Sequence, residues 1–425
     1  MQDSRQVVVD SLNHRQPSRV AVDFGATSCS GIHCSVVAGL RKHFGLEERL
    51  VKIHEAYQML GLIEDDLADA MGVDASMCQP LYNMFGVPID FKWKEWKTLW
   101  GQVVLIPEKM NVDITPEGEA LTYPQGDRSA GPSARMPATG YFFDAIIRQG
   151  EFDEDEPNPD DNTEEFALLT DAELAVMVEH AREARSHQGR AVVAGLPGTA
   201  LGDISGVPGM FMKNPKGIRD ITEWYISVAA RQDFIHAIFE KQTEVALENL
   251  RKILAAVGPD AYDAVFVCGT DFGTQIGTFC SRETFLELYT PYYKRLNGWI
   301  HDNTPWKTLK HSCGAVESFF PSFIEAGFDI LNPVQCSATG MDPTHLKKTY
   351  GDRVVFWGGG VDTQKTLPFG KPAEVRAEVL ERCRIFAPGG GFVFNAIHNV
   401  QALTPVENMV ALLDAVKEYN TAGGK

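Results

Sequence analysis

The fold is decided by the stretch WKTLKHSCGAVESFFPSFIEAGFDILNPV, residues 306–334. It opens with a short run of strand character, Trp306–Lys310, and closes with a second one, Ile330–Val334. Between them lies a longer amphipathic segment, Val316–Ala326, whose apolar spacing is that of a helix. A strand, a helix and a second strand in this order predict two parallel strands joined by a covering helix.

The same alternation continues on both sides of this stretch. Six further short apolar runs predict strands at Val20–Phe24, Val73–Cys78, Ala191–Leu196, Ala264–Cys268, Val354–Trp357 and Phe392–Ile397. The longer segments predict helices at Thr222–Val257, Arg282–His301, Val316–Ala326, Asp342–Tyr350, Pro372–Phe386 and Thr404–Tyr419. Ser281 is a good N-cap, and Thr404-Pro405 predicts proline at the first helical position. Near-continuous apolar strands are typical of a parallel sheet that is buried on both faces.

Eight such strands predict one (β/α)8 TIM barrel domain over residues 1–425, with an N-terminal helical extension. An insertion at about residues 80–170 holds a small antiparallel sheet of Val103–Ile106, Val112–Thr115 and Ala120–Tyr123. Within it Trp93, Trp96 and Trp100 have helical spacing, which indicates a buried stripe or a lid. The alternative is an open doubly wound sheet, which is disfavoured because no strand is followed by a glycine-rich dinucleotide fingerprint.

Composition limits the function. The net charge of −18 disfavours binding to nucleic acid or to an anionic membrane, both of which attract clustered basic residues. The sequence has no apolar stretch of about 18 residues that would predict a membrane span. Its first residues lack a signal-peptide pattern, and we therefore expect a cytoplasmic protein. The oligomeric state is left open, with a homodimer as one alternative.

Polar and metal-binding side chains follow the predicted strands, at the rim where a barrel carries its active site. His311 and Cys313 are two residues apart in an extended segment, so imidazole and thiolate can reach one zinc ion. His398 is the favoured third ligand, and Cys336 is the alternative. Asp271 either occupies the open coordination position of the zinc ion, orients one of the zinc ligands or caps a helix.

Further residues are assigned to the pocket around this centre. Gln275 is expected to act with Asp271 on the substrate or the ligand shell. The residues His33, Asn332, Trp357 and Asn395 are expected to line the substrate pocket. Cys29 and Cys34 lack a metal-binding spacing and are interpreted as packed thiols or thiols of the pocket wall.

The rim motifs resemble the uroporphyrinogen decarboxylase-like superfamily along nearly the whole chain. The resemblance rests on Arg15–Val20, Val22–Gly25, Asp271–Gln275, Pro291–Lys294, His311–Ala315, Gly359–Asp362, Gly391–Asn399 and Thr404–Asn408. One branch of that superfamily decarboxylates a porphyrinogen without a metal, using arginines near the first strand. Here residues 26–33 contain no arginine.

The other branch consists of corrinoid-dependent methyltransferases with zinc on His-x-Cys and a distant Cys. His311 and Cys313 match the first two ligands, whereas His398 stands where the last Cys is expected. This resemblance implies a zinc methyltransferase that demethylates a small methylated substrate, with an O-methyl aromatic compound as the leading candidate. No Asp-x-His-x-x-Gly corrinoid loop is present, so a partner corrinoid protein would supply the corrinoid. The alternatives are a metal-dependent decarboxylase or lyase, and a non-catalytic barrel that binds a tetrapyrrole or a corrinoid protein.

Overall fold

Eight parallel strands form the centre of the computed structural model, which describes residues 3–150, 152–153, 155–163, 166–187 and 189–423. They are β1 (Ala21–Val22), β2 (Ala75–Cys78), β3 (Ala191–Gly195), β4 (Ala264–Cys268), β5 (Lys307–His311), β6 (Ile330–Asn332), β7 (Val355–Trp357) and β8 (Phe392–Phe394). Neighbours pair in chain order, and β8 pairs with β1. The Asp74 N–H donates to Val22 O at 2.7 Å and links β2 to β1. The predicted barrel is confirmed, and the open sheet is excluded.

The helices lie at the predicted places but are more often interrupted. They span Ser4–Leu12, Cys34–His43, Asp65–Met71, Asp171–Ser186, Ile221–Ala230, Gln232–Val257, Arg282–Leu288, Thr290–Asn303, Phe320–Glu325, Pro343–Tyr350, Thr366–Phe369, Pro372–Phe386 and Val406–Thr421. The predicted single helix over residues 282–301 is wrong, because Pro291 lacks an N–H for the preceding turn and a new helix starts there. The segment 222–257 is likewise divided, at Arg231. Pro405 is an extended N-cap and not the first helical residue.

The insertion between β2 and β3 differs from its prediction. Trp93–Lys97 is a strand paired antiparallel with Val103–Pro107, so the helical interpretation of the tryptophan spacing is wrong. Tryptophan favours strands as well, and its spacing alone could not separate the two. A second antiparallel sheet contains Val112–Ile114, Ala120–Thr122, Ala134–Met136 and Asp144–Ala145. A small sheet of Ile32–His33, Ile53–Glu55 and Leu60–Gly61 lies after β1.

Alternate residues of each strand fill the barrel interior. The inner apolar cluster includes Ala21, Ala75, Ala191, Val193, Ala264, Leu309, Ile330, Val355, Trp357 and Val393, with Phe266 packed against it. Residues two positions further along a strand face the same side. Asp23, His311, Asn332 and Asn395 therefore form a buried polar layer above the apolar one. Among the described residues, no helix has the length and apolar character needed to cross a membrane.

Candidate metal centre

A line of hydrogen bonds crosses the polar layer and ends on His311. Oδ2 of Asp23 accepts the Nε1–H of Trp357 at 2.8 Å, and Trp357 O accepts the Nδ2–H of Asn332 at 2.9 Å. Oδ1 of Asn332 lies 2.6 Å from Nδ1 of His311. Because the amide nitrogen of Asn332 already donates to a carbonyl, its oxygen is the acceptor in this contact. His311 therefore carries its proton on Nδ1.

This tautomer leaves the lone pair of His311 on Nε2, which faces the rim. Nε2 lies 3.4 Å from Sγ of Cys313 and 4.0 Å from Oδ1 of Asp271. Histidines that bind metal ions commonly donate the other ring N–H to a polar partner, as His311 does here. The hydrogen bonds inside the barrel thus leave the lone pair of His311 Nε2 available for a cation.

Two rim loops contact each other backbone to backbone and hold Cys313 in place. Gly314 has a φ of +91°, and a Cβ added to it would lie 2.4 Å from the carbonyl carbon of Gly273. A side chain at either glycine would separate the loop after β4 from the loop after β5. Across this contact Oδ1 of Asp271 accepts the N–H of Cys313 at 2.6 Å. The glycines therefore position the carboxylate beside the thiol.

The donor atoms form two overlapping groups that share His311. One contains Asp271, His311 and Cys313, and the other contains Cys29, His311 and His398. Within each group the donor atoms lie within 4.8 Å of one another. The ring centroids of His311 and His398 are 5.2 Å apart. The predicted ligands are therefore adjacent, but they are divided between the two groups.

His398 is held differently from His311. Its Nδ1 accepts the N–H of Asn399 at 2.8 Å, so the proton of the neutral ring lies on Nε2. The side chain of Asn399 also accepts the N–H of Gly31 at 2.8 Å and ties the end of β8 to the loop after β1. A cation bound at His398 would displace either the ring proton or the Asn399 contact. His398 is thus less prepared for a metal ion than His311.

Burial controls the charge of these groups. It lowers the pKa of His311 to about 4 and that of His398 to about 3, so both rings are neutral near pH 7. Burial also raises the pKa of the Cys29 thiol. Burial and the Asp271 charge place the pKa of the Cys313 thiol well above its ordinary value. The imidazoles are in their metal-binding form, whereas the thiols lose their protons when a cation offsets the charge.

Gln275 and His33 lie outside both donor groups. Gln275 is exposed on the rim, and its backbone oxygen accepts the N–H of Thr339 at 3.0 Å. His33 is buried and caps the helix that starts at Cys34, because its Nδ1 accepts the N–H of Ser35 at 3.2 Å. Its Nε2 lies 3.0 Å from Tyr141 O. Both ring nitrogens of His33 thus have protein partners.

The remaining predicted residues lie in the barrel wall or farther out. Asn395 donates its Nδ2–H to Asp23 O at 2.6 Å, and within the described part of the chain its buried Oδ1 has no hydrogen-bond partner. Cys336, the alternative third ligand, is close to the charges of Arg382 and Glu378 and belongs to neither donor group. The structure therefore groups His398, and not Cys336, with His311.

Cys29 is the member of this centre that sequence reasoning missed. Its spacing from Cys34 is not that of a metal site, and this argued against it. However, Cys29 lies in the loop that follows β1, and the loops after all eight strands meet at one rim. His311 and His398 were singled out because they lie at or after the ends of barrel strands, and the same criterion also selects Cys29.

A family model described as "Uroporphyrinogen decarboxylase (URO-D)" matches residues 207–419, half of the chain. The chain belongs to the uroporphyrinogen decarboxylase family. The matched range contains β4 to β8 with Asp271, His311, Cys313 and His398, whereas Cys29 lies before it.

Individual members of the uroporphyrinogen decarboxylase family match over shorter ranges. The uroporphyrinogen decarboxylase of Actinobacillus succinogenes is 34% identical over 91 residues, 20% of this chain and 25% of its own length. That of Herminiimonas arsenicoxydans is 35% identical over 94 residues, again 20% of this chain and 25% of its own length. The chain spans about a quarter of the length of these curated relatives. A methyltransferase from Methanosarcina mazei shares the fold over 99% of both chains, with a TM-score of 0.54 and 15% identity.

Proposed function

We propose that this protein is a zinc-dependent methyltransferase acting on a small methylated substrate, with an O-methyl aromatic compound as the leading candidate. The methyl group passes to a corrinoid that a partner protein carries. The observation that supports this most directly is the 3.4 Å approach of His311 Nε2 to Cys313 Sγ, with the other ring nitrogen protonated against Asn332. The fold shared with the Methanosarcina mazei methyltransferase supports it as well.

The residues of the two donor groups fit a zinc ion. Zinc binds imidazole nitrogen and thiolate sulfur, and a catalytic zinc has three protein ligands and one open position. His311 and Cys313 would hold the ion, and Cys29 or His398 would supply the third ligand. Bound there, zinc supplies a Lewis acid that stabilises negative charge on the leaving oxygen of a methyl ether.

The chain's own residues prepare this chemistry. Asn332 keeps the His311 proton away from the rim, and Asp271 holds the Cys313 backbone. Burial of His311 excludes water, which strengthens every electrostatic interaction in the site. Because the sequence lacks a corrinoid loop, the methyl acceptor must reach the open end of the barrel on another protein.

Decarboxylation of a porphyrinogen is the second candidate, because the curated relatives carry that name. Such a substrate bears several carboxylates and needs cations to bind them. The loop after β1, residues 26–33, contains neither arginine nor lysine. It contains instead Cys29, which belongs to a donor group. These features favour methyl transfer over decarboxylation.

The experiment mixes the zinc-loaded protein with a Co(I) corrinoid and a methoxyphenol under anaerobic conditions. The methyl–oxygen bond breaks, the electron pair of Co(I) forms the methyl–cobalt bond, and the phenolate takes a proton from water. We expect the absorbance of the methylated corrinoid and one dihydroxybenzene for each methyl group transferred. Zinc-free protein and Cys313→Ser should form neither product. Release of carbon dioxide from a porphyrinogen, without methylation of the corrinoid, would overturn the proposal.

A further inference from the structure

A cavity of about 210 Å³ lies inside the rim next to the metal centre. It is lined by residues that follow β1 and β2, by residues of β2 and β3 themselves, and by Phe266 of β4. Ser28 is one of the lining residues and directly precedes Cys29. The ring of Phe266 stacks on that of His311, with centroids 6.3 Å apart. The cavity and the metal centre thus share a wall.

The volume of the cavity limits what it can hold. A cavity of about 150 Å³ in a protein core takes up one benzene molecule. At about 210 Å³, this cavity accommodates one aromatic ring with one or two small substituents. The four linked pyrrole rings of a porphyrinogen are several times larger. The volume of the cavity therefore matches a one-ring ligand.

One side chain offers the ligand a hydrogen bond. Asn83 is 8% exposed, and its Oδ1 accepts the N–H groups of Phe85 at 3.0 Å and Val87 at 3.1 Å. These two donors fix the orientation of the amide. Asn83 lines the cavity, and its Nδ2 is buried without a hydrogen-bond partner among the described residues. A buried donor without a partner is unfavourable, so an acceptor atom on the ligand would be bound favourably.

The charge of the cavity disfavours anionic ligands. Among the described residues that line it, none is lysine or arginine. Glu55 is in the wall, and its carboxylate oxygens accept the N–H groups of Tyr57 at 2.9 Å and Gln58 at 2.7 Å. A ligand carboxylate would lie beside this acid without a cation to offset it. A neutral ring therefore fits the cavity better than an anionic one.

We propose that this cavity holds the ring of the methyl donor, an uncharged one-ring methoxyarene, and that Asn83 Nδ2 donates to a second oxygen substituent on the ring. The proposal rests on the proposed function for the identity of the reacting group. Phe266 covers one face of the ring beside His311. Specificity then comes from the size of the cavity and from one amide donor.

Binding to the zinc-loaded protein without any corrinoid tests this, by isothermal titration calorimetry. The ligands are methoxyphenol, methoxybenzene without the second oxygen, and methoxybenzoate. Asn83→Asp keeps the acceptor for Phe85 and Val87 but removes the donor. It should weaken methoxyphenol binding about tenfold, the equivalent of one hydrogen bond, and change methoxybenzene binding by less than about threefold. Methoxybenzoate should bind at least about tenfold more weakly than methoxyphenol.

A second variant fills the cavity without disturbing the fold. Gly195 lines the cavity, and a Cβ added to it would meet no heavy atom within 4 Å. Gly195→Leu should therefore abolish methoxyphenol binding while zinc content and the unfolding temperature stay unchanged. Wild-type binding in Gly195→Leu, or tighter binding of methoxybenzoate, would overturn the cavity assignment. Binding without methyl transfer would contradict the proposed function instead, so the two failures are distinguishable.

Discussion

Nδ1 of His311 donates to Oδ1 of Asn332 across 2.6 Å, and this contact determines which ring nitrogen can bind a metal ion. Asn332 can accept because its own Nδ2 donates to Trp357 O at 2.9 Å. The backbone carbonyl of Trp357, on the neighbouring strand β7, thus orients the Asn332 amide so that its oxygen faces His311. The barrel interior, and not the rim, selects the tautomer of the proposed ligand.

Replacement of Asn332 by valine should weaken zinc binding. Asn332→Val removes the acceptor for the His311 proton, and loss of such a partner typically costs 10- to 100-fold in affinity. Competition with a chromophoric chelator measures the change. Asn395→Val is the matched control, because Asn395 lies in the same polar layer but bonds Asp23 O and no donor of the metal centre. Equal affinities of the two variants would show that Asn332 does not position the ligand.

The cysteine that completes the site can be identified by metal content and by cobalt(II) spectra. Cys313→Ala and Cys29→Ala should each lose most of the bound metal, and each should reduce the cobalt–thiolate absorption. Cys336→Ala is the control and should retain about one metal ion per chain. His398→Ala should lose less metal than Cys313→Ala, because His398 is engaged by Asn399. Full retention of metal in Cys29→Ala would restore the predicted ligand set of His311, Cys313 and His398.

The contact between the rim loops should be sensitive to one methyl group. Gly314→Ala places a residue with a side chain at a φ of +91° and against Gly273. Gly101→Ala is the control. Its φ of +87° imposes a similar backbone strain on alanine, but the added Cβ would meet no heavy atom of the described residues within 4 Å. We expect Gly314→Ala to lose about 1–3 kcal/mol more free energy of unfolding than Gly101→Ala, and to lose metal as well. Urea unfolding and metal analysis measure both, and equal destabilisation of the two variants would argue against a tight loop contact.

The zinc-free protein should lose stability as the pH falls from about 6.5 to about 4. Burial lowers the pKa of His14, that of His33, His54 and His311 to about 4, and that of His398 to about 3, so unfolding takes up protons in this window. Burial raises the pKa of Asp23 to about 6 and of Glu55 to about 7, which opposes the effect. The histidines outnumber the two opposing carboxyls, so unfolding takes up protons on balance near pH 5.

The free energy of unfolding, followed by urea titration at several pH values, measures this slope. His54→Gln removes one of the titrating groups and should lower the slope by about 1.4 kcal/mol per pH unit near pH 5. A flat profile between pH 4 and pH 6.5 would mean that these histidines are not held neutral in the folded state.

Much of the fold could be predicted from the sequence, because it depends on local patterns. Short apolar runs that alternate with amphipathic segments determined the eight strands, and their shared direction placed Asp271, His311 and His398 at one rim. The insertion was predicted less well. The spacing of Trp93 and Trp96 is compatible with a helix, and pairing with Val103–Pro107 made this segment a strand.

The barrel, the rim and the His311–Cys313 pair could be predicted from the amino-acid sequence, because each prediction uses residues that are close together in the chain. The other contacts of the site depend on tertiary packing. Cys29 joins His311 across more than half of the chain when the ring of strands closes, and no spacing rule reports such a contact. Tertiary packing also brings Tyr141 O to Nε2 of His33 and places Cys336 outside the donor groups. Contacts between distant segments depend on how the strands and helices pack. The spacing of neighbouring residues in the sequence therefore does not predict them.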